Sequence, residues 1–221
     1  MSSERFRPGR MPLQRPGKEG GARARNRAER TRAICEAALR VFLDKGVESA
    51  TVDDITASAG VAKGSFYRYF DDKTQLVEAL FAPLVAQLDG AVETCQQALS
   101  EAREPAALLP AYQMFGSALV AALGGSQDLV RLYLQECRAP AKGARAPIRR
   151  LSARITEAAV SLTDAAHTHG MLKPLPPRVT ALAVVGAIEG LLASYLEGMD
   201  LGETNEITSA VITMMLEGVA R

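Results

Sequence analysis

The 221-residue sequence predicts an all-α protein with a small N-terminal three-helix head and a larger C-terminal helical body. Three observations carry this prediction. Apolar residues recur at helical spacing from Ile34 onward, no alternation of period two is long enough for a strand, and the breaks between periodic segments fall on Gly or Pro. The composition agrees, because 48% hydrophobic residues with 5% aromatic and no Trp suit helices packed through Ala, Leu and Val.

Taken in order, residues 1–27 are basic, contain Pro and Gly, and hold too few apolar side chains to fold alone, so a disordered arm is expected there. Residues 1–32 carry nine Arg and one Lys against three Glu, an asymmetry that the net charge of +1 conceals. The head is expected over 28–81. Its first helix is marked by Ile34, Ala37, Ala38, Val41 and Phe42 and stops at Gly46. Thr51 then stands at an N-cap, with Asp53 and Asp54 in the first turn, where carboxylates meet the positive end of the helix dipole. Gly60 ends that short helix, Val61 plugs the corner, and a third helix runs to Phe70. Asp72 to Ser100 reads as a long helix that Pro83 should bend or split. The body, over 82–221, continues with helices at Pro105–Leu123, Gln127–Ala139, Ala146–Gly170, Pro177–Glu197 and Glu203–Val219.

Residues 51–70 hold the chemistry that points furthest. Two short helices joined at Gly60 form a helix-turn-helix, and the second presents Phe66 and Phe70 on one side and Gly64 and Arg68 on the other, flanked by Lys63, Ser65 and Tyr67. A helix that reads DNA needs small residues near its start for close approach, and hydroxyl or cationic groups for base edges and phosphates. The same pattern also occurs in plain helical hairpins.

Through Arg32, Ile34, Ala38, Phe42, Gly46, Thr51, Ile55, Ala59, Gly60, Val61, Gly64, Phe66, Tyr67, Tyr69, Phe70 and Lys73 the chain resembles the Tet repressor (TetR) family of bacterial transcription regulators. The motif resemblance covers residues 30 to about 81; beyond them it is architectural only. Thr56 departs from the usual Ala, and its hydroxyl is expected to bond back to the carbonyl four residues earlier. The resemblance implies that Thr51, Tyr67, Tyr69 and Lys73 meet phosphates, and that Lys63, Gly64, Ser65 and Arg68 face bases. Phe42, Ile55, Phe66 and Phe70 are assigned to the core. It further implies a homodimer on a pseudo-palindromic double-stranded DNA operator, released by a small-molecule effector, and acting most often as a repressor. The basic arm is then open to two readings: a solubilising extension, or a strand of charge lying along the DNA.

In the body, Tyr112, Met114, Phe115, Arg131, Tyr133 and Glu136 mix aromatic, flexible and polar groups and are candidates for lining an effector pocket; plain core with solvated charges is the competing reading. Ala183, Gly186, Ala187 and Gly190 form a small-residue stripe on one helix, and Val211 and Met215 lie on the apolar face of the last, so these two helices are the expected dimer interface. Val179–Leu196 is long enough to touch the lower limit of a membrane span, but Glu189 near its centre argues for a buried helix and against a membrane.

Other functions find little support. Cys35, Cys95 and Cys137 are well separated and read as reduced thiols of a cytoplasmic protein, with redox sensing by one of them left open. No apolar run follows the basic start, so no secretory signal is expected. His167 and His169 lack acidic or thiol partners at ligand spacing, and no phosphate loop or nucleophile elbow appears. No enzyme activity, cofactor or metal is therefore expected. An architectural DNA-binding protein remains as an alternative, though it leaves the large body unexplained.

Overall fold

A computed structural model describes residues 22–102, 108–168 and 175–219, and among them the chain is helical throughout apart from turns and loops. Helix α1 (Ala22–Lys45) begins six residues earlier than expected, so 22–27 are helical, while the rest of the expected arm lies outside the described residues. It is followed by α2 (Val52–Ala59), α3 (Lys63–Phe66) and α4 (Lys73–Glu101). The body adds α5 (Leu108–Gly124), α6 (Gln127–Glu136), a short 3-10 turn (Gly143–Arg145), α7 (Ala146–Thr168), α8 (Pro177–Leu196) and α9 (Thr204–Val219). Pro83 sits inside α4 without splitting it, and the boundary expected at 81/82 falls within that same helix.

Local chemistry sets the head. Thr51 Oγ1 accepts the Asp54 N–H at 3.1 Å, and Asp54 Oδ2 accepts the Thr51 N–H at 2.9 Å, a reciprocal cap that satisfies two free donors at the start of α2. Gly60 closes α2 in the left-handed region (φ 64°, ψ 32°), where a side chain would be strained. Thr56 Oγ1 donates to the Val52 carbonyl at 3.0 Å, the back-bond expected for its hydroxyl. Ile34, Phe42, Ile55, Phe66 and Phe70 are buried together, as expected.

That core does not end with the head. The same buried cluster runs from Ile34 and Phe42 through Leu76 and Phe81 of α4 into Leu132 of α6 and Ile148 and Leu151 of α7. A second, smaller cluster of Cys95, Leu99, Ala111 and Leu162 closes the far end of α4 against α5 and α7. Surface contacts bind α7 along α4: Arg154 pairs with Asp89 at 2.6 Å, Arg150 pairs with Glu78, and Gln96 donates to Ser161 at 2.9 Å. Both α4 and α8 are long and apolar enough to cross a membrane by length and composition. In this fold α8 packs against α6 and α7, and its Glu189 is held by two partners from α6 and the residues after it.

Candidate nucleic-acid interface and body cavity

The segment after Gly60 buries its aromatic side and exposes its polar one. Phe66 and Phe70 are buried, whereas Lys63, Gly64, Tyr67 and Arg68 are exposed and Ser65 and Tyr69 are half-buried. The helix itself is shorter than the sequence predicts. After Phe66 the chain tightens into a turn, with Arg68 N–H on the Ser65 carbonyl at 3.3 Å and Tyr69 N–H on the Phe66 carbonyl at 2.9 Å. Tyr67 keeps 52% of its surface and is braced edge-to-face on Phe66, with ring centres 5.3 Å apart.

Gly64 is the most telling residue of this surface. Its backbone is not in the positive-φ region, and a methyl group built on it meets nothing within 4 Å. Neither its conformation nor its packing among the described residues calls for glycine there. Open space of this kind is what close approach by a partner requires.

Three further residues of the expected DNA contact set prove to be engaged. Lys63 pairs with Asp53 at 2.9 Å, an exposed contact that contributes little and exchanges readily for another anion. Its pKa is raised by the hydrogen bond to Asp53. Thr51 donates its hydroxyl proton to Asp54 at 2.7 Å, so a phosphate has to compete for it. The Lys73 ammonium donates to the Glu48 and Ala50 carbonyls at 2.9 and 2.8 Å, tying the start of α4 to the turn after α1 and leaving one of its three N–H groups for another acceptor. Burial lowers its pKa, with the Glu48 carboxylate opposing.

The body contains a cavity of about 440 Å³ lined by α4 to α9. Its wall is almost wholly apolar, from Leu84 and Leu88 on α4 to Ile188 and Leu192 on α8. Of the six expected pocket residues, Tyr112, Phe115 and Tyr133 line it, while Met114 faces a separate groove between α4 and α5. Arg131 donates to the Leu196 carbonyl at 2.7 Å, so it closes the end of α8 instead of lining the wall. The polar feature that sequence reasoning missed is Glu189. It accepts from the Tyr133 hydroxyl at 2.7 Å and from Arg138 at 2.9 Å, and a lone acid in an otherwise apolar helix was the available signal. Burial, helped by Glu189, pushes the Tyr133 phenol well above its ordinary pKa.

Glu136 is corrected outright, since it does not face the cavity. Only 3% of it is exposed. Its carboxylate accepts the Val47 N–H at 2.8 Å and pairs with Arg145 at 2.5 Å, while the Arg145 N–H reaches Glu48 at 3.3 Å. Gly46, at φ 79°, leaves the room that brings this carboxylate against the head, 3.3 Å from where its Cβ would be. Helix α6 therefore holds the cavity through Tyr133 and the head through Glu136, three residues apart.

On the outer side of the body, Val179 and Leu182 of α8 keep 63% and 57% of their surface, and Met199 and Met214 are also exposed. Ala183 and Gly190 are exposed and Gly186 and Ala187 half-buried, and a methyl group on either glycine meets nothing within 4 Å among the described residues. Among the described residues, no other helix of the chain packs onto Gly186 or Gly190. Val211 departs from the expected interface and lines the cavity, and the side chain of Met215 lies outside the described residues. His167 buries an unpartnered Nε2, and His169 also lies outside the described residues. Burial pushes the Cys35 and Cys95 thiols up to about 11 and raises that of Cys137, which leaves little thiolate for redox chemistry at neutral pH.

Residues 34–80 match the family of bacterial regulatory proteins described as tetR. An uncharacterized HTH-type transcriptional regulator of Bacillus subtilis, YhgD, is 25% identical over 160 residues, covering 71% of this chain and 79% of that protein. The HTH-type transcriptional regulator TtgR of Pseudomonas putida is 44% identical over 63 residues, which span 28% of this chain and only 30% of TtgR. Among solved structures, the transcriptional regulator FadR from Bacillus subtilis in complex with stearoyl-CoA superposes with a TM-score of 0.63 at 19% identity, over 85% of this chain and 98% of FadR.

Proposed function

We propose that this chain, whose residues 34–80 match the TetR family, is a TetR-family transcriptional regulator, a dimeric repressor whose Lys63–Tyr69 surface enters the major groove and whose body cavity takes an apolar effector. The observation that carries the DNA reading is Gly64, a glycine that no neighbour among the described residues requires, at the centre of an exposed polar surface. Gly64, Ser65 and Arg68 are assigned to base edges, and Tyr67, Tyr69 and Lys63 to phosphates or bases within reach. Thr51 keeps its primary role as the α2 cap, and Lys73 is given a structural one.

One such segment reads too few base pairs for specificity, so two copies are required. The exposed apolar side chains of α8, together with the unfilled space over Gly186 and Gly190, support a dimer formed through that face. Half-sites then lie about 34–36 Å apart or at a multiple of that distance. As for the effector, FadR was solved with stearoyl-CoA, and the cavity here has the apolar wall that a long acyl chain needs. The Glu189 carboxylate makes that wall unfavourable for an anionic head group, which is assigned to the mouth. A cytoplasmic location follows from action on the chromosome.

Selection of bound sites from a random DNA pool by the purified chain tests this reading. Recovery of a two-fold symmetric motif is expected. Recovery of duplexes without any common motif would overturn the operator assignment in favour of an architectural role.

A further inference from the structure

The first three turns of α1, residues 22–33, carry five Arg against one Glu. Ala and Arg are strong helix formers, which explains why this segment is helical with nothing to bury. Residues 24–30 are all exposed. Arg27 and Arg30 stand on the stripe that continues, at spacings of four and three, as Ile34, Ala37 and Val41, the side of α1 that packs into the head. Where that stripe runs past the edge of the core it changes from apolar to cationic. Arg27 lies over the ring of Tyr69, 5.5 Å from its centre, so the projecting helix is tied to the end of the Lys63–Tyr69 segment. Arg30 is exposed and has no ion-pair partner among the described residues.

We infer that residues 22–33 are a second DNA-contacting surface, a rigid basic helix that lies along the phosphate backbone beside the recognition segment and adds affinity without reading sequence. The inference rests on the proposed reading of the Lys63–Tyr69 surface and names a further partner for it. Charge complementarity selects the occupant. Arginines crowded on one exposed helix repel each other, and a line of phosphates relieves that repulsion while releasing counterions. Twelve residues of helix span about 18 Å, enough to follow several successive phosphates. Contact through a helix also differs from a disordered arm, because it fixes where along the duplex the charge falls.

The test measures binding of the full chain at a series of salt concentrations, on the selected operator and on a random-sequence duplex of the same length. The double variant Arg27→Ala/Arg30→Ala removes two arginines from each protomer of the dimer and is expected to flatten the slope of log affinity against log salt by about 3.6, or 0.9 for each phosphate that is no longer neutralised, on both duplexes. Its preference for operator over random duplex stays at the parent value. Slopes equal to those of the parent overturn the inference. The variant Ala28→Pro keeps every charge and breaks the helix upstream of the core stripe, so thermal melting should be close to the parent. It is expected to lose salt-dependent affinity as the double variant does, and a parent-like slope there overturns the helical form of the contact. Failure of the operator reading is separate: the parent itself then shows no preference between the duplexes, while the slope difference on random DNA still reports on α1.

Discussion

At Gly64 the absence of a side chain separates folding from function. An alanine there removes the backbone entropy cost of glycine in a helix, so stability is expected to hold or rise by up to about 1 kcal/mol. Operator affinity is expected to fall about tenfold or more, comparable to removing one base-edge interaction. Denaturant unfolding and operator titration of Gly64→Ala check the two halves together; a fall in both would return Gly64 to a structural role. Asp54 shows the opposite case, a residue wholly occupied with the fold. The Lys45 ammonium, 2.6 Å away, and then the Thr51 hydroxyl and N–H hold its carboxyl well below the usual carboxylate range. Its contribution is full above the ordinary carboxylate pKa and is lost as pH falls through the lower folded value. Asp54→Asn is therefore expected to melt below the parent at pH 7, with the gap persisting near pH 4 and closing only in stronger acid. The gap should be modest, since the pair is exposed to solvent and screened by salt. A gap that widened as pH fell would contradict the assignment.

At the scale of elements, α6 is the piece that links the two halves. One turn of it holds Tyr133 in the cavity wall and Glu136 under the head, and the 3-10 turn that follows supplies Arg145 to the same carboxylate. A buried charge pair contributes little net stability, but removing one partner leaves the other uncompensated. Glu136→Gln is expected to destabilise the chain by about 3 kcal/mol in denaturant unfolding. It should also weaken the release of DNA by effector, because the head no longer follows α6. A variant that unfolds at the parent midpoint would mean that Arg145 finds water at no cost, and the joint would lose its assigned part. Helix α4 was legible from its apolar spacing, although Pro83 argued for a break. A proline removes one backbone hydrogen bond, and packing on both sides of α4 against α5 and α7 outweighs that loss.

For the whole molecule the open question is how two recognition segments are held at a fixed spacing. The exposed face of α8 carries that load in the proposed dimer, and Leu182 stands on it with more than half its surface free. Leu182→Arg is expected to sediment as a monomer, to melt close to the monomeric unit's own value, and to lose operator affinity by at least tenfold because the paired half-site is no longer engaged. Sedimentation of the variant as a dimer would move the interface elsewhere. The continuous core from head to body bears on the same point, because a head welded to α6 and α7 moves with the body instead of swinging on a linker.

The sequence alone determined the order of the helices, the cap of α2 and the helix-turn-helix, because each rests on local rules: spacing of apolar residues, Thr51 before Asp54, glycine where the backbone turns left-handed. It also determined the Thr56 back-bond and the burial of Phe42, Ile55, Phe66 and Phe70, which follow from periodicity within one motif. What the tertiary structure decided were partnerships between residues far apart in the chain. Glu136 read as a pocket residue because its helix carried aromatics, yet its carboxylate bonds Val47, 89 residues away. The Lys73 ammonium meets the Glu48 and Ala50 carbonyls, 25 and 23 residues away, and Val211 turned toward the cavity because α9 covers it. Periodicity tells which side of a helix is apolar, but which neighbour meets that side depends on how the helices cross, and that is a property of the assembled core.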